Sequence, residues 1–205
     1  MLEFFFDCSS PWTYLAFHNV LPLAGEFDLA IGWRPILVGG IFNTINPSVY
    51  HSRAKPVPAK VRYAQKDLAD WARLAGLKII RPTIFPVNSV KAMRGCILLA
   101  GEDKLEAFAR AVFQAYWSED RDISNDEVLA DLCASIGADP QFFFAGISQQ
   151  SIKDKLRENT GELIERGGFG SPTLFLHRDD MYFGNDRLPL LRAALVRRRQ
   201  TRGDR

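Results

Sequence analysis

The chain opens with a short apolar run that is followed at once by a helical pattern. Residues 2 to 6 (LEFFF) are largely apolar, which is typical of a buried strand and too short for a helix. Ser9 and Ser10 are N-cap residue types, Pro11 suits the first helical position, and apolar side chains continue to about Leu23. The pattern predicts a strand, a tight turn and a helix.

A second strand pattern lies at residues 27 to 34, where β-favouring side chains alternate with polar ones. A strand, helix and strand of this length form a right-handed crossover, so the sheet is expected to be partly parallel. Residues 43 to 60 show no periodicity and contain several prolines and asparagines. They are interpreted as a long loop of the kind that is often functional.

Helical spacing of apolar positions dominates the middle of the chain. Helices are predicted at about residues 59–74, 89–100, 103–116, 125–136, 139–147 and 150–166. Ser124 precedes Glu127 by three positions, which is a capping-box signature, and residues 142–144 (FFF) are expected in the core. Strand patterns return at residues 173–176 and 181–183, before a last helix at 187–197.

The order of elements indicates the fold class. A βαβ unit, a block of helices and a ββα unit predict an α/β protein with a thioredoxin-like fold and a large all-helical insertion. The thioredoxin-like domain is assigned to residues 1–42 and 167–205, and the inserted helical domain to residues 43–166.

Composition and charge narrow the possible partners. The chain has 205 residues, of which 47% are hydrophobic and 24% charged, as in ordinary globular proteins. A net charge of +2 argues against a nucleic-acid or membrane partner, and no apolar run approaches the roughly 20 residues of a membrane span. The basic residues 197–199, with Arg202 and Arg205, are interpreted as a solvated, frayed tail.

Cysteine usage indicates a compartment. Cys8, Cys96 and Cys133 are odd in number, far apart and without a C-x-x-C pair. That pattern argues against a disulfide framework and against a metal site, and favours a reducing cytoplasm. The N-terminus shows no basic segment or cleavage site of a signal peptide, so a cytoplasmic protein is expected.

Ser10 is the first candidate for chemistry. It precedes Pro11 at a helix N-terminus, where free N–H groups and the helix dipole stabilise an anion. The alternative is that Ser10 is only an N-cap.

Two later segments would meet the first helix in this fold. Pro172 opens a strand, so its position suits an edge, a bulge or a cis bond, and thioredoxin-like folds carry a cis-proline opposite the helix mouth. Ser171 before it could pair with the backbone of an extended peptide. Asn185 and Asp186 lie in a turn before the last helix, where they could bind the charged end of a ligand or could simply be an N-cap.

Motifs along the whole chain resemble those of the 2-hydroxychromene-2-carboxylate isomerase family, which is related to kappa-class glutathione transferases and to disulfide oxidoreductases of the DsbA kind. The motifs are, in chain order, F-x-x-D-x-x-S-P-x-x-Y-L-A at residues 4–16, G-G-I-F at 39–42, K-x-x-Y-x-x-x-D-L-x-x-W-A at 60–72, F-P-x-N-S at 85–89, A-x-W followed by D-I-S within 115–124, G-x-P-T at 170–173 and F-G-N-D-R-L at 183–188.

The resemblance implies glutathione as cofactor. Ser10 would occupy the position of the first redox cysteine of the oxidoreductases and would hold the glutathione sulfur as a thiolate. The backbone of Ser171, beside Pro172, would pair with the cysteinyl unit, and Asn185 and Asp186 would bind the γ-glutamyl end. A hydrogen-bond donor at a helix N-terminus does lower a thiol pKa.

The resemblance implies fewer specific contacts for the organic substrate than for glutathione. Asn46 and Lys60 would reach toward the substrate carboxylate or the glycyl end of glutathione, and Trp12 and Phe85 would line an aromatic pocket. Thr13 stands where a resolving cysteine would be, so a dithiol oxidoreductase is not expected. Cys8 is interpreted as a small buried side chain.

These residues lead to one preferred function and two alternatives. The preferred function is a glutathione-dependent cis–trans isomerase that converts 2-hydroxychromene-2-carboxylate to trans-o-hydroxybenzylidenepyruvate in aromatic-hydrocarbon catabolism. The first alternative is a kappa-type glutathione transferase that conjugates electrophiles, and the second is a DsbA-like protein that binds without redox chemistry. A homodimer is implied by the resemblance alone.

Overall fold

A four-stranded mixed sheet organises the computed structural model, which describes residues 1–203. The strands are β1 (Leu2–Phe6), β2 (Ile31–Pro35), β3 (Thr173–Leu176) and β4 (Asp180–Phe183), in the spatial order β2-β1-β3-β4. β1 is parallel to β2 and antiparallel to β3, which is antiparallel to β4. The predicted parallel crossover and the predicted hairpin are both confirmed.

Helices account for most of the remaining chain. The described residues contain α1 (Pro11–Glu26), α2 (Val38–Thr44), α3 (Ser48–Ala54), α4 (Pro58–Leu74), α5 (Val90–Ala100), α6 (Leu105–Trp117), α7 (Asp126–Ser135), α8 (Pro140–Ile147), α9 (Gln150–Glu165), a short 3₁₀ turn (Asn185–Arg187) and α10 (Leu188–Gly203). The predicted thioredoxin-like order of elements is confirmed. Among these helices, none combines the length and the apolar character that a bilayer crossing requires.

The strand β1 places its phenylalanines alternately on two faces of the sheet. On one face, Phe4 and Phe6 join a large core that extends into the inserted helices, where the Phe6 and Phe113 ring centroids are 6.4 Å apart. On the other face, Phe5 packs edge-on against Phe175, at 5.7 Å between centroids. The sheet and the insertion therefore share one core, and the proposed domain boundaries at residues 42 and 166 stay a prediction.

The predicted loop at residues 43–60 is wrong, because this segment contains α3 and the first turn of α4. Helix α3 buries none of its side chains, so it carries no apolar periodicity for a sequence pattern to detect. The prolines of this segment do not interrupt its helices. Pro47 is the N-cap of α3 and Pro58 is the first residue of α4, both positions that tolerate proline.

Two smaller predictions also need correction. Asn125, and not Ser124, caps α7, since the Asn125 side chain accepts a hydrogen bond from the Glu127 N–H at 2.7 Å. The Ser124 hydroxyl instead donates to Asp122 at 2.6 Å. In the FFF run only Phe143 is fully buried, while Phe142 is 48% exposed because it lies on the outer side of α8.

The basic C-terminal segment is helical and not frayed through Gly203. Arg198 lies 3.6 Å from the Asp180 carboxylate on β4, and this ion pair helps to hold the end of α10 against the sheet. Arg205 and the side chain of Arg202 lie outside what the structure describes.

Candidate active site

The N-terminus of α1 carries Ser10 in an extended conformation, with φ −116° and ψ 126°. Its hydroxyl accepts a hydrogen bond from the Thr13 N–H at 3.3 Å and donates to the Ser171 carbonyl at 3.5 Å. Both contacts are long for hydrogen bonds of a hydroxyl. The Trp12 N–H makes no hydrogen bond within residues 1–203, so the helix mouth retains a free donor beside this hydroxyl.

The peptide bond between Ser171 and Pro172 is cis, as the interpretation of Pro172 allowed. Hydrogen bonds fix this segment against the start of α1: the Ser171 and Thr13 hydroxyls are 2.8 Å apart, and the Asp7 N–H donates to the Ser171 hydroxyl at 3.1 Å. The Gly184 N–H donates to the Pro172 carbonyl at 3.1 Å, which brings the turn after β4 to the same place.

A cavity of about 620 Å³ opens on one side of the helix mouth. We call it the aromatic cavity, because four rings contribute to its wall, those of Trp12, Phe42, Tyr50 and Phe85. Ser10, Ser171, Arg53 and further residues of the turn after β1, of α2 and of the segment before α5 complete the lining. The predicted neighbours Ser10, Trp12, Phe85 and Ser171 therefore meet at one cavity.

Arg53 is the cationic side chain in the lining of the aromatic cavity. Its guanidinium carbon lies 5.6 Å from the ring centroid of Phe42 and 5.6 Å from that of Phe85, so two rings contact it by cation–π interactions. The Phe85 segment is itself anchored, because the Tyr116 hydroxyl donates to the Ile84 carbonyl at 2.8 Å. Arg53 lies in the segment that the sequence predicts to be a loop, and no sequence motif assigns it to the site.

Asp7 forms the buried end of the aromatic cavity next to the helix mouth. Burial raises the pKa of its carboxyl, although the N–H groups of Ser9 and Val38, both 2.9 Å from its oxygens, act in the opposite direction. These two bonds tie the start of α2 to the turn before α1. Asp7 therefore positions the cavity wall, with both oxygens already accepting hydrogen bonds.

Cys8 is completely buried, in agreement with its interpretation as a small core residue. Burial, together with the neighbouring Cys96 thiol, raises the pKa of Cys8 well above its usual range, so no reactive thiolate forms there. The Trp117 indole N–H donates to the Cys8 carbonyl at 2.9 Å, which further fixes the turn. The chain itself therefore offers no sulfur nucleophile at the helix mouth.

A second cavity, of about 500 Å³, also borders the helix mouth. We call it the acidic cavity, because its lining contains the carboxylates of Asp67 and Asp186. Trp12 and Ser171 contribute to both cavities, so the two cavities adjoin at these residues. The lining of the acidic cavity also includes Tyr63, Trp71, Pro172, Phe183, Gly184, Asn185 and Arg187.

Asn185 and Asp186 differ in their surroundings. The Asn185 side chain is buried and accepts a hydrogen bond from the Asn19 amide at 2.9 Å, while its own Nδ2 has no partner within residues 1–203. A buried donor without an acceptor is rare, and a ligand oxygen would satisfy it. The Asp186 side chain is half exposed and pairs with Arg187 at 3.1 Å.

Two predicted substrate residues, Asn46 and Lys60, line neither cavity. The Asn46 amide donates to the Phe169 carbonyl at 3.2 Å. This bond connects the segment before α3 to the segment between α9 and β3. Lys60 lies exposed in the first turn of α4, one turn before Tyr63.

Sequence reasoning missed the contribution of α4 to the acidic cavity. Tyr63, Asp67 and Trp71 recur every four residues, which places them on one face of a helix. That spacing was a usable signal. The motif at residues 60–72 contains all three of these residues, but the sequence does not show which cavity they face. Ala72 is the one residue of α4 that the structure buries.

Comparison with known proteins assigns the chain to a family. Residues 1–196 match the family described as the DSBA-like thioredoxin domain. The chain belongs to this family. A 2-hydroxychromene-2-carboxylate isomerase of Pseudomonas putida is 30% identical over 200 residues, covering 96% of this chain and 95% of that protein.

Other family members are similar over nearly the full length. Glutathione S-transferase kappa 1 of Rattus norvegicus is 29% identical, covering 93% of this chain and 88% of that protein. A solved structure of a 2-hydroxychromene-2-carboxylate isomerase superposes with a TM-score of 0.84 at 29% identity, covering 99% of this chain and 98% of that one. The resemblance seen in the motifs is thereby confirmed, and enzymes are the class that these relatives share.

Proposed function

We propose that the protein is a glutathione-dependent cis–trans isomerase of 2-hydroxychromene-2-carboxylate or a closely similar aromatic hydroxy acid. The observation that carries this proposal is the position of the Ser10 hydroxyl at a helix N-terminus, where it lines the aromatic cavity and contacts Ser171, a residue that lines both cavities. A cofactor thiol held at Ser10 could occupy one cavity while its sulfur faces a substrate in the other. The names of the relatives support the same reaction and the same cofactor.

The residues around the acidic cavity fit the peptide part of glutathione. The carboxylates of Asp67 and Asp186 suit the γ-glutamyl ammonium group, and the unpartnered Nδ2 of Asn185 suits its carboxylate. The Ser171 backbone, beside the cis bond to Pro172, suits an extended cysteinyl unit. Bound glutathione would supply a thiolate nucleophile that is regenerated in each turnover.

The helix mouth would keep that sulfur ionised. The Ser10 hydroxyl and the free Trp12 N–H are two donors in the first turn of the same helix, and the helix dipole adds a partial positive charge. Because both hydrogen bonds of the Ser10 hydroxyl are long, it can turn toward an anion at small cost. Ser10 is therefore assigned the role of thiolate stabiliser and not of nucleophile.

The aromatic cavity would hold the organic substrate. Trp12 and Phe85 provide flat apolar surface, as expected for a bicyclic aromatic compound. Its volume of about 620 Å³ lies within the range of small-molecule sites. A small aromatic acid is thus the proposed partner, and the buried, unpaired cysteines agree with the proposed cytoplasmic location.

One experiment separates isomerase from transferase. Purified protein is incubated with glutathione and either the chromene acid or chlorodinitrobenzene, and both product and free thiol are measured. An isomerase consumes the chromene acid while free thiol stays constant, since the cofactor is regenerated. Loss of free thiol with chlorodinitrobenzene, without turnover of the chromene acid, would instead support a kappa-type transferase. That activity is named for a relative that is 29% identical to this chain.

A second experiment tests a protein that only binds. Glutathione at 100 times its Kd should add about 2.7 kcal/mol to the free energy of unfolding, which raises Tm by roughly 5 to 10 °C for a chain of this size. Stabilisation together with turnover of the chromene acid excludes the binding-only alternative. The absence of any stabilisation at millimolar glutathione would remove both enzyme proposals.

A further inference from the structure

The aromatic cavity contains one cationic side chain, and its surroundings leave that cation free to bind an anion. Among the described residues that line the cavity, Arg53 alone is cationic, and Asp7 alone is anionic. Asp7 is buried, and its two oxygens accept the N–H groups of Ser9 and Val38. Arg53 makes no ion pair with any carboxylate in the described part of the chain, so its charge is not neutralised from within.

The rings of Phe42 and Phe85 contact the guanidinium group of Arg53. Phe42 and Phe85 come from different segments, α2 and the connector before α5, and each ring centroid is 5.6 Å from the guanidinium carbon. Cation–π contacts engage the face of a guanidinium and leave its N–H edge available. The edge of a guanidinium matches a carboxylate with two parallel hydrogen bonds.

We infer that Arg53 is the residue that recognises the carboxylate of the organic substrate of the proposed function. The rings of Phe42 and Phe85 would pack beside the apolar part of such a ligand, while Arg53 binds its charged end. This assignment replaces Asn46 and Lys60, which line neither cavity. It depends on the proposed function for the identity of the substrate but not for the presence of an anion site.

The inference also accounts for the place of Arg53 in the fold. Tyr50 and Arg53 are separated by three positions on α3, so they lie on one face of that helix and both reach the cavity. The Tyr50 hydroxyl donates to the Asn43 side chain at 2.8 Å, and its ring packs edge-on against Phe42. Helix α3 is thereby fastened to α2 at the point from which Arg53 extends.

The test compares a carboxylate with its neutral analogue. Kd is measured for 2-naphthoate and for 2-naphthamide, in the presence of glutathione, by quenching of tryptophan fluorescence. The proteins are the wild type, Arg53→Met, Arg53→Lys and Lys55→Met. Lys55 is an exposed cation two positions away that lines neither cavity, so it controls for a general loss of positive charge.

The wild type should bind 2-naphthoate about tenfold or more tightly than 2-naphthamide, which is the effect of a charge-assisted hydrogen bond. Arg53→Met should abolish this preference, Arg53→Lys should retain part of it, and Lys55→Met should retain it in full. A preference that survives in Arg53→Met, or no preference in the wild type, overturns the inference.

A separate measurement distinguishes this result from failure of the proposed function. The thermal shift produced by glutathione should be the same in Arg53→Met and in the wild type, because Arg53 does not line the acidic cavity. If glutathione stabilises both proteins but the carboxylate preference does not depend on Arg53, only the present inference fails. If glutathione stabilises neither while the preference still depends on Arg53, the anion site stands and the glutathione-dependent reaction fails.

Discussion

At the scale of single residues, the site depends on a hydroxyl that has two uses. Ser10 caps α1 through the Thr13 N–H, and the same oxygen lies beside the free Trp12 N–H and the Ser171 carbonyl. Capping contributes about 1 kcal/mol to the stability of a helix start. The proposed stabilisation of a thiolate would come in addition, and only when the cofactor is bound.

Ser10→Ala separates these two uses. We expect turnover of the chromene acid to fall on the order of 100-fold at neutral pH, as after loss of one donor to a reacting anion. We also expect the pKa of the bound glutathione thiol to rise, because a donor to the charged form is lost. Ultraviolet absorbance of the thiolate, titrated against pH, measures that pKa directly.

Controls decide how that result is interpreted. Ser9→Ala removes the neighbouring hydroxyl, which is not the N-cap of α1, and should keep most of the turnover. Loss of the N-cap alone should lower the Tm of Ser10→Ala, but it should change neither the turnover nor the pKa of the bound thiol. If Ser10→Ala unfolds at a lower temperature but keeps both its turnover and the thiol pKa, Ser10 is only an N-cap.

At the scale of elements, close packing of helices depends on glycines that the sequence does not mark. Gly95 lies inside α5, and a Cβ atom built there would meet the Phe143 ring at 2.3 Å and the Phe108 ring at 2.8 Å. Gly161 lies inside α9, and a Cβ atom there has no neighbour within 4 Å. The two positions therefore form a matched pair in which only one is crowded.

Gly95→Ala should destabilise the protein by about 1 to 3 kcal/mol, because two core rings must move. Gly161→Ala should stabilise it by roughly 0.5 to 1 kcal/mol, since alanine is the better helix former and nothing obstructs its methyl group. Urea unfolding of both variants measures the two changes. Equal effects in the two variants would contradict this description of the contact between α5 and α8.

Sequence reasoning succeeded for elements that bury an apolar face. The phenylalanines of β1 and the periodic positions of α6 specify their own packing, so both elements were predicted within a few residues. It failed for α3, which buries no side chain and consequently has no apolar period. Arg53 lies on that helix, and for this reason its place in the aromatic cavity could not be predicted.

The same contrast applies within the candidate site. Ser10, Ser171 and Asn185 lie beside proline, cis-proline and turn positions, which are local features that a sequence displays. The place of Asp67 in the acidic cavity depends instead on how α4 packs beside α1. A helix face shows which residues lie together but does not show what they face, so sequence alone does not assign Asp67 to a cavity.

At the scale of the whole molecule, a group of charges connects the sheet to the inserted helices. The Glu3 carboxylate on β1 lies 2.8 Å from Arg34 on β2 and 2.8 Å from Arg166 at the end of α9. Arg166 also pairs with Glu162 at 2.9 Å and lies over the Phe175 ring at 3.9 Å. Burial acts to raise the pKa of Glu3, but hydrogen bonds from Arg166 and Arg34 outweigh it and hold the pKa below its usual range.

Glu3→Gln should lower the free energy of unfolding by roughly 1 to 3 kcal/mol at pH 7, because two partly buried guanidinium groups lose their carboxylate. Since the pKa is lowered in the folded state, this stabilisation is complete above the unfolded value of about 4.3 and is lost as pH falls through the folded pKa. The difference between wild type and variant should therefore shrink below about pH 4. Glu26→Gln, which breaks an exposed pair with Arg192, serves as the control and should change little.

The surface of α3 and α4 bears on the homodimer that the family resemblance implies. Exposed apolar side chains that line neither cavity occur in this part of the chain, at Ile45, Val57 and Val61. Clustered exposed apolar groups are typical of surfaces that contact a partner. We therefore expect a second copy of the chain to cover this surface.

Val61→Glu tests that expectation by placing a charge in the proposed contact. Burying an unpaired carboxylate is unfavourable, so the Kd of the dimer should increase at least about tenfold. Leu190→Glu makes the same change on α10, at a leucine that is 56% exposed and distant in sequence from this surface, and should leave the Kd unchanged. Sedimentation equilibrium measures both values. A monomeric wild type, or a Val61→Glu protein that dimerises as tightly as the wild type, would show that α3 and α4 do not form the interface.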